Sequence, residues 1–405
     1  MEMENIRGGV QRPNPREVFA DILYKGFVAP FKEARLAGLY VASLVTAFGW
    51  AFLDVFMGLD YLQKGLWQLV GFAAGKYGII GFLMVPLFFL WTRIPVRVYG
   101  AIIMLLPVLG LGYAFWNQVD GVRSLGGFEY GLLLGTGMST FWVLYHLIMV
   151  ANTSDGNRGN EISLATTGVT VGMFFGAIGG GYVKQFDFPQ EYGMIGLAAM
   201  MTGTFLIWNC AWREDIFRRM RANGALQETF RQALLKDPER TRTTFMEGAF
   251  HVAHGLLWPV FLSVQGFAAL GIGFVHGMNV LLKIFISPIA GYLTNQDHGR
   301  EIEFGGWIKV AGWLPWLSLS SVVLIPLSSV LWALGGHVFA VGTTARWYKC
   351  RSVASVAVRE GLFGVSRVMF IFIMVPALFY SPAMFILICA ALTTLLTLCG
   401  RAMRT

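Results

Sequence analysis

The sequence predicts an all-α integral membrane protein with twelve transmembrane helices in two pseudo-symmetric six-helix bundles. Three observations carry the prediction. The 405 residues are 56% hydrophobic and only 13% charged, with a mean hydropathy of +0.59. Soluble domains carry about 25% charged residues, so this chain has too little charge to coat a water-facing surface. Its apolar runs are unbroken and about 20 residues long, the length a spanning helix needs. Barrel strands would instead alternate apolar and polar residues over about ten positions. Finally, the longest polar segment, 213–243, leaves six apolar runs before it and six after it.

The first element is a polar arm, 1–35, containing Pro13, Pro15 and several arginines. It lacks the apolar core of a cleavable signal peptide, and 16–34 reads as a short amphipathic helix on the membrane surface. Spans of the first half fall at 36–59, 67–91, 98–117, 131–152, 163–183 and 192–212. The basic linker 213–243 follows, holding eight Lys and Arg residues. The second half spans the membrane at 245–265, 268–292, 304–323, 327–346, 360–380 and 382–400, within a bundle bounded at 244–400, and 401–405 is a tail. Two hairpins are tight. Val310 to Ala345 folds back near Pro326, and Val368 to Gly400 turns at Ser381-Pro382.

Of the 31 Lys and Arg residues, 24 fall in the arm, the even-to-odd connections and the tail. Lys64, Arg123 and Lys184 are the only ones in the opposite loops. Basic residues mark the cytoplasmic side, so both termini are expected there, in a bacterial cytoplasmic (inner) membrane. The same rule accounts for the net charge of +8 without invoking nucleic acid. Cys210, Cys350, Cys389 and Cys399 have neither metal nor disulfide spacing and read as free thiols.

Two six-helix halves joined by a basic linker resemble the major facilitator superfamily over nearly the whole chain. Span five reads Gly172-Met-Phe-Phe-Gly176-Ala177-Ile-Gly179-Gly180-Gly181. It is similar to that family's antiporter motif, G-x-x-x-G-P-x-x-G-G, with Ala177 in place of proline. Glycines at that spacing (Gly172, Gly176, Gly180, Gly181) let two helix backbones approach closely. The loop Gly291 to Arg300 looks like the family's gating loop G-x-x-x-D-R-x-G-R, with Asn295 at the acidic position and one extra residue. Its counterpart, Trp91 to Arg97, keeps Arg93 and Arg97 but has Thr92 for the acid and Pro95 for the glycine. The resemblance implies that these loops latch one face. Proton antiporters of the family have an Arg in span four, where this chain carries His146.

Ionisable groups inside a span cost roughly 2.5–3.5 kcal/mol at a helix centre on insertion scales, so they face a partner or a cavity. Asp54 and Lys76 lie at similar depth on consecutive spans and can pair. Glu247, His251 and His254 share one helical face, with His276 at a depth close to His254 and Lys283 two turns further on. His337 falls near the middle of span ten. Arg367 needs a carboxylate or an anion, and Glu247 is the intramolecular candidate. The histidines suit proton handling, hydrogen bonding between helices, or a metal site at His251, His254 and His276. In the polar loop from Asn152 to Glu161, Ser163 reads as a nearby helix cap, and Arg158 with Glu161 could lock to the other half.

The functional expectation is a monomeric secondary transporter of a small molecule or ion, working by alternating access in the lipid bilayer and coupled to protons. A transition-metal, particularly iron or iron-chelate, transporter is a second reading. The third is a non-transporting relative that acts in assembly or lipid handling. No nucleotide-binding loop or nucleophile constellation points to an enzyme, no cofactor is implied, and no nucleic-acid partner is expected.

Overall fold

A computed structural model describes residues 20, 24, 34–119, 125–153, 157–186, 188–213, 216, 229–296, 300–317, 324–349 and 352–402. The surface helix expected at 16–34 and most of the basic linker lie outside these residues. Among the described residues ten helices are long and apolar enough to cross a membrane. In the first half these are α1 (Ala34–Gln63), α2 (Leu66–Arg93), α3 (Val96–Val119), α4 (Gly127–Asn152), α5 (Arg158–Gln185) and α6 (Pro189–Arg213).

A short helix, α7 (Phe230–Leu235), precedes the second half. Thr229 caps it: the Gln232 amide N–H donates to Thr229 Oγ1, and the Gln232 side chain accepts from the Thr229 N–H. Its Ala233 packs against Trp347, Ala354 and Val358, so this part of the linker is seated on the second half. There α8 (Pro238–His251) starts with Asp237 accepting from the Arg240 N–H and Pro238 in the first turn. It runs through a π-helical segment, Val252–Leu257, into α9 (Trp258–Val264). The remaining helices are α10 (Ala269–Gln296), α11 (Arg300–Trp313) with a 3-10 turn at Leu314–Leu317, α12 (Leu324–Lys349), α13 (Val353–Tyr380) and α14 (Pro382–Ala402). The seventh expected span is thus interrupted by a π-helical segment, and the described part of the ninth passes from α-helix into a 3-10 turn.

Two features recur in the two halves. The α1–α2 turn holds Gly65 at φ 124° and the α9–α10 turn holds Gly266 at φ 86°. Both are equivalent first-to-second-span turns, and both use a backbone conformation that favours glycine. The halves meet along two equivalent seams, α2 with α13 and α5 with α10. At the first, Gly81 faces Gly364, and at the second Gly181 faces Gly273 while Gly159 faces Gly291. Small residues let backbones touch where lipid supplies no hydrophobic drive between helices. The motif glycines Gly172, Gly176 and Gly180 serve a contact inside the first half. A Cβ on any of them would run into the α1 backbone at Leu44, Phe48 or Phe52.

Candidate functional site

One cavity of about 270 Å³ lies between the halves and is lined by both. The sequence scattered its ionisable residues over seven spans, and the fold gathers most of them here. Asp54, His146, Glu247, His251, His254 and His276 all line it, as do Lys283, His337 and Arg367. Lys76 stands behind Asp54 and is fully buried. Its ammonium donates to Asp54 Oδ1, and Trp50 Nε1–H donates to Asp54 Oδ2 at 2.8 Å. The cation also faces the Tyr77 ring, 4.7 Å from the centroid. The pair neutralises both charges within the first half, and Lys76 does not reach outward to the membrane surface.

The pairing expected between Glu247 and Arg367 is absent. α8 and α13 do meet, with Ser366 Oγ donating to the Phe245 carbonyl. The Arg367 guanidinium is instead turned onto Tyr77 and Phe363, 5.2 and 5.0 Å from their centroids. Glu247 is buried, receives the Thr343 hydroxyl at 3.4 Å, and lies 3.9 Å from His251 Nε2. Among the described residues it has no Lys or Arg within 4 Å.

The carboxylate that does carry a network is Glu360, which sequence reasoning did not single out. It lies 3.0 Å from His146 Nε2 and accepts from Arg359. His146 Nδ1 is bonded to the Tyr348 hydroxyl, and Arg359 donates to Thr344 Oγ1 at 3.2 Å. His146 belongs to α4 and its partners to α12 and α13, so the group clasps the two halves at one end of the cavity. Position explains why it went unnoticed: Arg359 and Glu360 sit at the edge of an apolar run and read as a topology anchor. Towards the opposite end the contact is apolar, with Gly58 of α1 against Leu256 and Val260.

The π segment shapes the wall nearest the histidines. A π turn widens a helix locally and is frequent at functional sites. His254 sits in it, stacked on Phe250 with centroids 5.8 Å apart, 5.6 Å from Trp332 and 6.1 Å from His276. The expected metal triad of His251, His254 and His276 does not converge. Among the described residues no three His, Cys, Asp or Glu side chains form a metal-binding group. His254 is stacked on Phe250, and His251 lies edge-on to Phe250 and Phe363.

His337 accepts or donates at Ser287 Oγ, 2.9 Å away. Ser287 also bonds to Ser163, and Thr167 donates to it at 2.8 Å. Ser163 is therefore not a helix cap. α5 already begins at Arg158, and Ser163 joins α5 to α10 across the halves. Arg158 and Glu161 are both buried. Of the loop residues, Asn295 accepts from the Gly159 N–H at 2.8 Å and so ties the end of α10 to the start of α5. Arg93, Arg97 and Arg300 are exposed. Cys210, Cys389 and Cys399 form no disulfide among the described residues, and Cys350 lies outside them.

No protein-family model matches the sequence and no curated protein matches it. Solved structures do. The human organic anion transporter MFSD10 (TETRAN) aligns with a TM-score of 0.66 at 11% identity, over 91% of this chain and 99% of that one. A bacterial homologue of the iron transporter ferroportin, outward-facing with soaked iron, gives 0.62 at 13% identity, over 90% and 98%. A bacterial homologue of the human drug peptide transporters PepT1 and PepT2 gives 0.62 at 12%, over 91% and 95%. The chain therefore has the fold of the major facilitator transporters. Identities this low leave the subfamily unassigned, and the substrates named for those three proteins are theirs.

Proposed function

We propose that this chain is a secondary active transporter that moves a small solute across a membrane by alternating access. The observation that carries the reading is the cavity: both halves line it, and cross-half contacts of different chemistry flank its two ends. An ionic clasp (His146, Glu360, Arg359) can break and remake with little repacking, and an apolar seam (Gly58, Leu256, Val260) can slide apart. Rocking of the halves about the α2–α13 and α5–α10 seams would expose the cavity to each side in turn. The bias of basic residues supports a cytoplasmic position for both termini.

Glu247 is the group best suited to carry a coupling proton. It is a buried carboxylate on the cavity wall with no Lys or Arg within 4 Å among the described residues. Asp54, held by Lys76, is better read as a structural charge. Glu247→Gln is then expected to abolish uptake driven by a pH gradient in proteoliposomes while leaving substrate counterflow intact.

The transport reading itself is tested by cross-linking. Cysteines at Gly58 and Val260, introduced without the native cysteines, should form a disulfide that stops uptake, and reduction should restore it. Uptake that survives complete cross-linking would remove alternating access from consideration. A protein with no solute flux that co-purifies with a fixed partner would point to the assembly role instead.

A further inference from the structure

The charges around the cavity do not balance. Asp54 is neutralised by Lys76, and Glu360 by Arg359. That leaves Glu247 against Lys283, Lys309 and Arg367, all of which line the cavity. None of these three cations has a carboxylate within 4 Å among the described residues. Lys309 is buried with its ammonium 3.6 Å over the Phe250 ring and 4.3 Å over Phe339. Arg367 Nε and His276 Nδ1 are buried without a hydrogen-bond partner. Uncompensated cations and orphaned donors in a membrane interior are costly unless a ligand completes them.

Their placement is one-sided. All three cations belong to the second half, on α10, α11 and α13. The facing wall from the first half carries no Lys or Arg and is largely aromatic and apolar around Trp50, Met138, Trp142, Val169 and Met173, with Thr166, Thr170 and His146 as its neutral polar groups. Its one carboxylate is already paired.

We propose that the cavity binds an amphipathic organic anion. Its carboxylate, sulfonate or phosphate head would lie against Lys283, Lys309 and Arg367, and its apolar body against the tryptophans of the first half. Aromatic faces also favour a flat apolar body over a polar one. The inference rests on this cavity being the transport site, and the two can fail separately.

The test uses the full-length protein in detergent and three probes of one shape: 1-naphthoate, 1-naphthamide and 1-naphthylmethylammonium. A ligand of the native state raises the unfolding temperature by mass action. Naphthoate should raise it in a concentration-dependent way, and the amide and the cation should not. Lys283→Gln and Lys309→Gln should each weaken the naphthoate response about tenfold or more, and Lys309→Arg should largely restore it. If the glutamine variants are not recovered folded, the wild-type preference among the three probes decides. No shift with naphthoate, an equal shift with the amide or the cation, or a response undiminished in the folded lysine variants would overturn the inference. Naphthoate binding without uptake into proteoliposomes would leave the anion site standing and remove the transport reading. Uptake of the ammonium probe alone would do the reverse.

Discussion

Asp54 and Lys76 illustrate what burial does to a charged pair. Each alone would be an uncompensated charge in the membrane interior, and together they accept a tryptophan hydrogen bond and a flanking tyrosine ring. Removing one partner of a buried pair costs about 3–5 kcal/mol, whereas removing both is often neutral. Asp54→Asn should therefore destabilise the purified protein strongly, and Asp54→Asn with Lys76→Met should recover most of the loss. Thermal unfolding of the three proteins in one detergent measures this. If the double variant is as unstable as the single one, the pair is more than mutual neutralisation. The pairing was legible as an option because antiparallel neighbours at matching depth can face each other. The Glu247–Arg367 pairing was not, because helix contact alone does not fix where a long side chain points.

At the scale of elements, the glycines of α5 are packing devices for α1. Gly172, Gly176 and Gly180 admit the α1 backbone at successive turns. Gly176→Ala should lower stability by about 1–3 kcal/mol, the usual cost of overpacking a tight contact. Gly112→Ala in α3 is the control: a Cβ there meets nothing within 4 Å, and alanine is the better helix former by about 1 kcal/mol. Equal losses at both positions would contradict this account. The motif spacing announced a close approach but could not name the partner helix. The interrupted seventh span was harder still. Its hydrophobic pattern is that of an ordinary helix, and the π segment at Val252–Leu257 sets His254 against Phe250 and Trp332.

Across the whole molecule, His146, Glu360 and Arg359 join the halves at one end while apolar contacts join them towards the other. The two kinds of contact respond differently to a single substitution. Glu360→Gln removes the charge that holds both His146 and Arg359 and should shift the population towards a conformer open at that end. Distances between spin labels on the ends of α4 and α12 would lengthen or broaden, and labels flanking Gly58 and Val260 would not. Unchanged distances at the clasp would show that the ion pairs are incidental to gating.

Sequence by itself determined the helical class and the many apolar segments that call for lipid as solvent. These follow from apolar run length and from the scarcity of charge, which are additive along the chain. It also marked the ionisable groups that had to turn inward, since none could face lipid cheaply. Tertiary structure alone decided which of them meet. It brought His146 to Glu360, kept Arg367 from Glu247, set His254 against Phe250 and Trp332 in place of a metal site, and left Lys283, Lys309 and Arg367 with no carboxylate within 4 Å among the described residues. Those outcomes depend on helix rotation and side-chain reach between different spans, which no local pattern encodes.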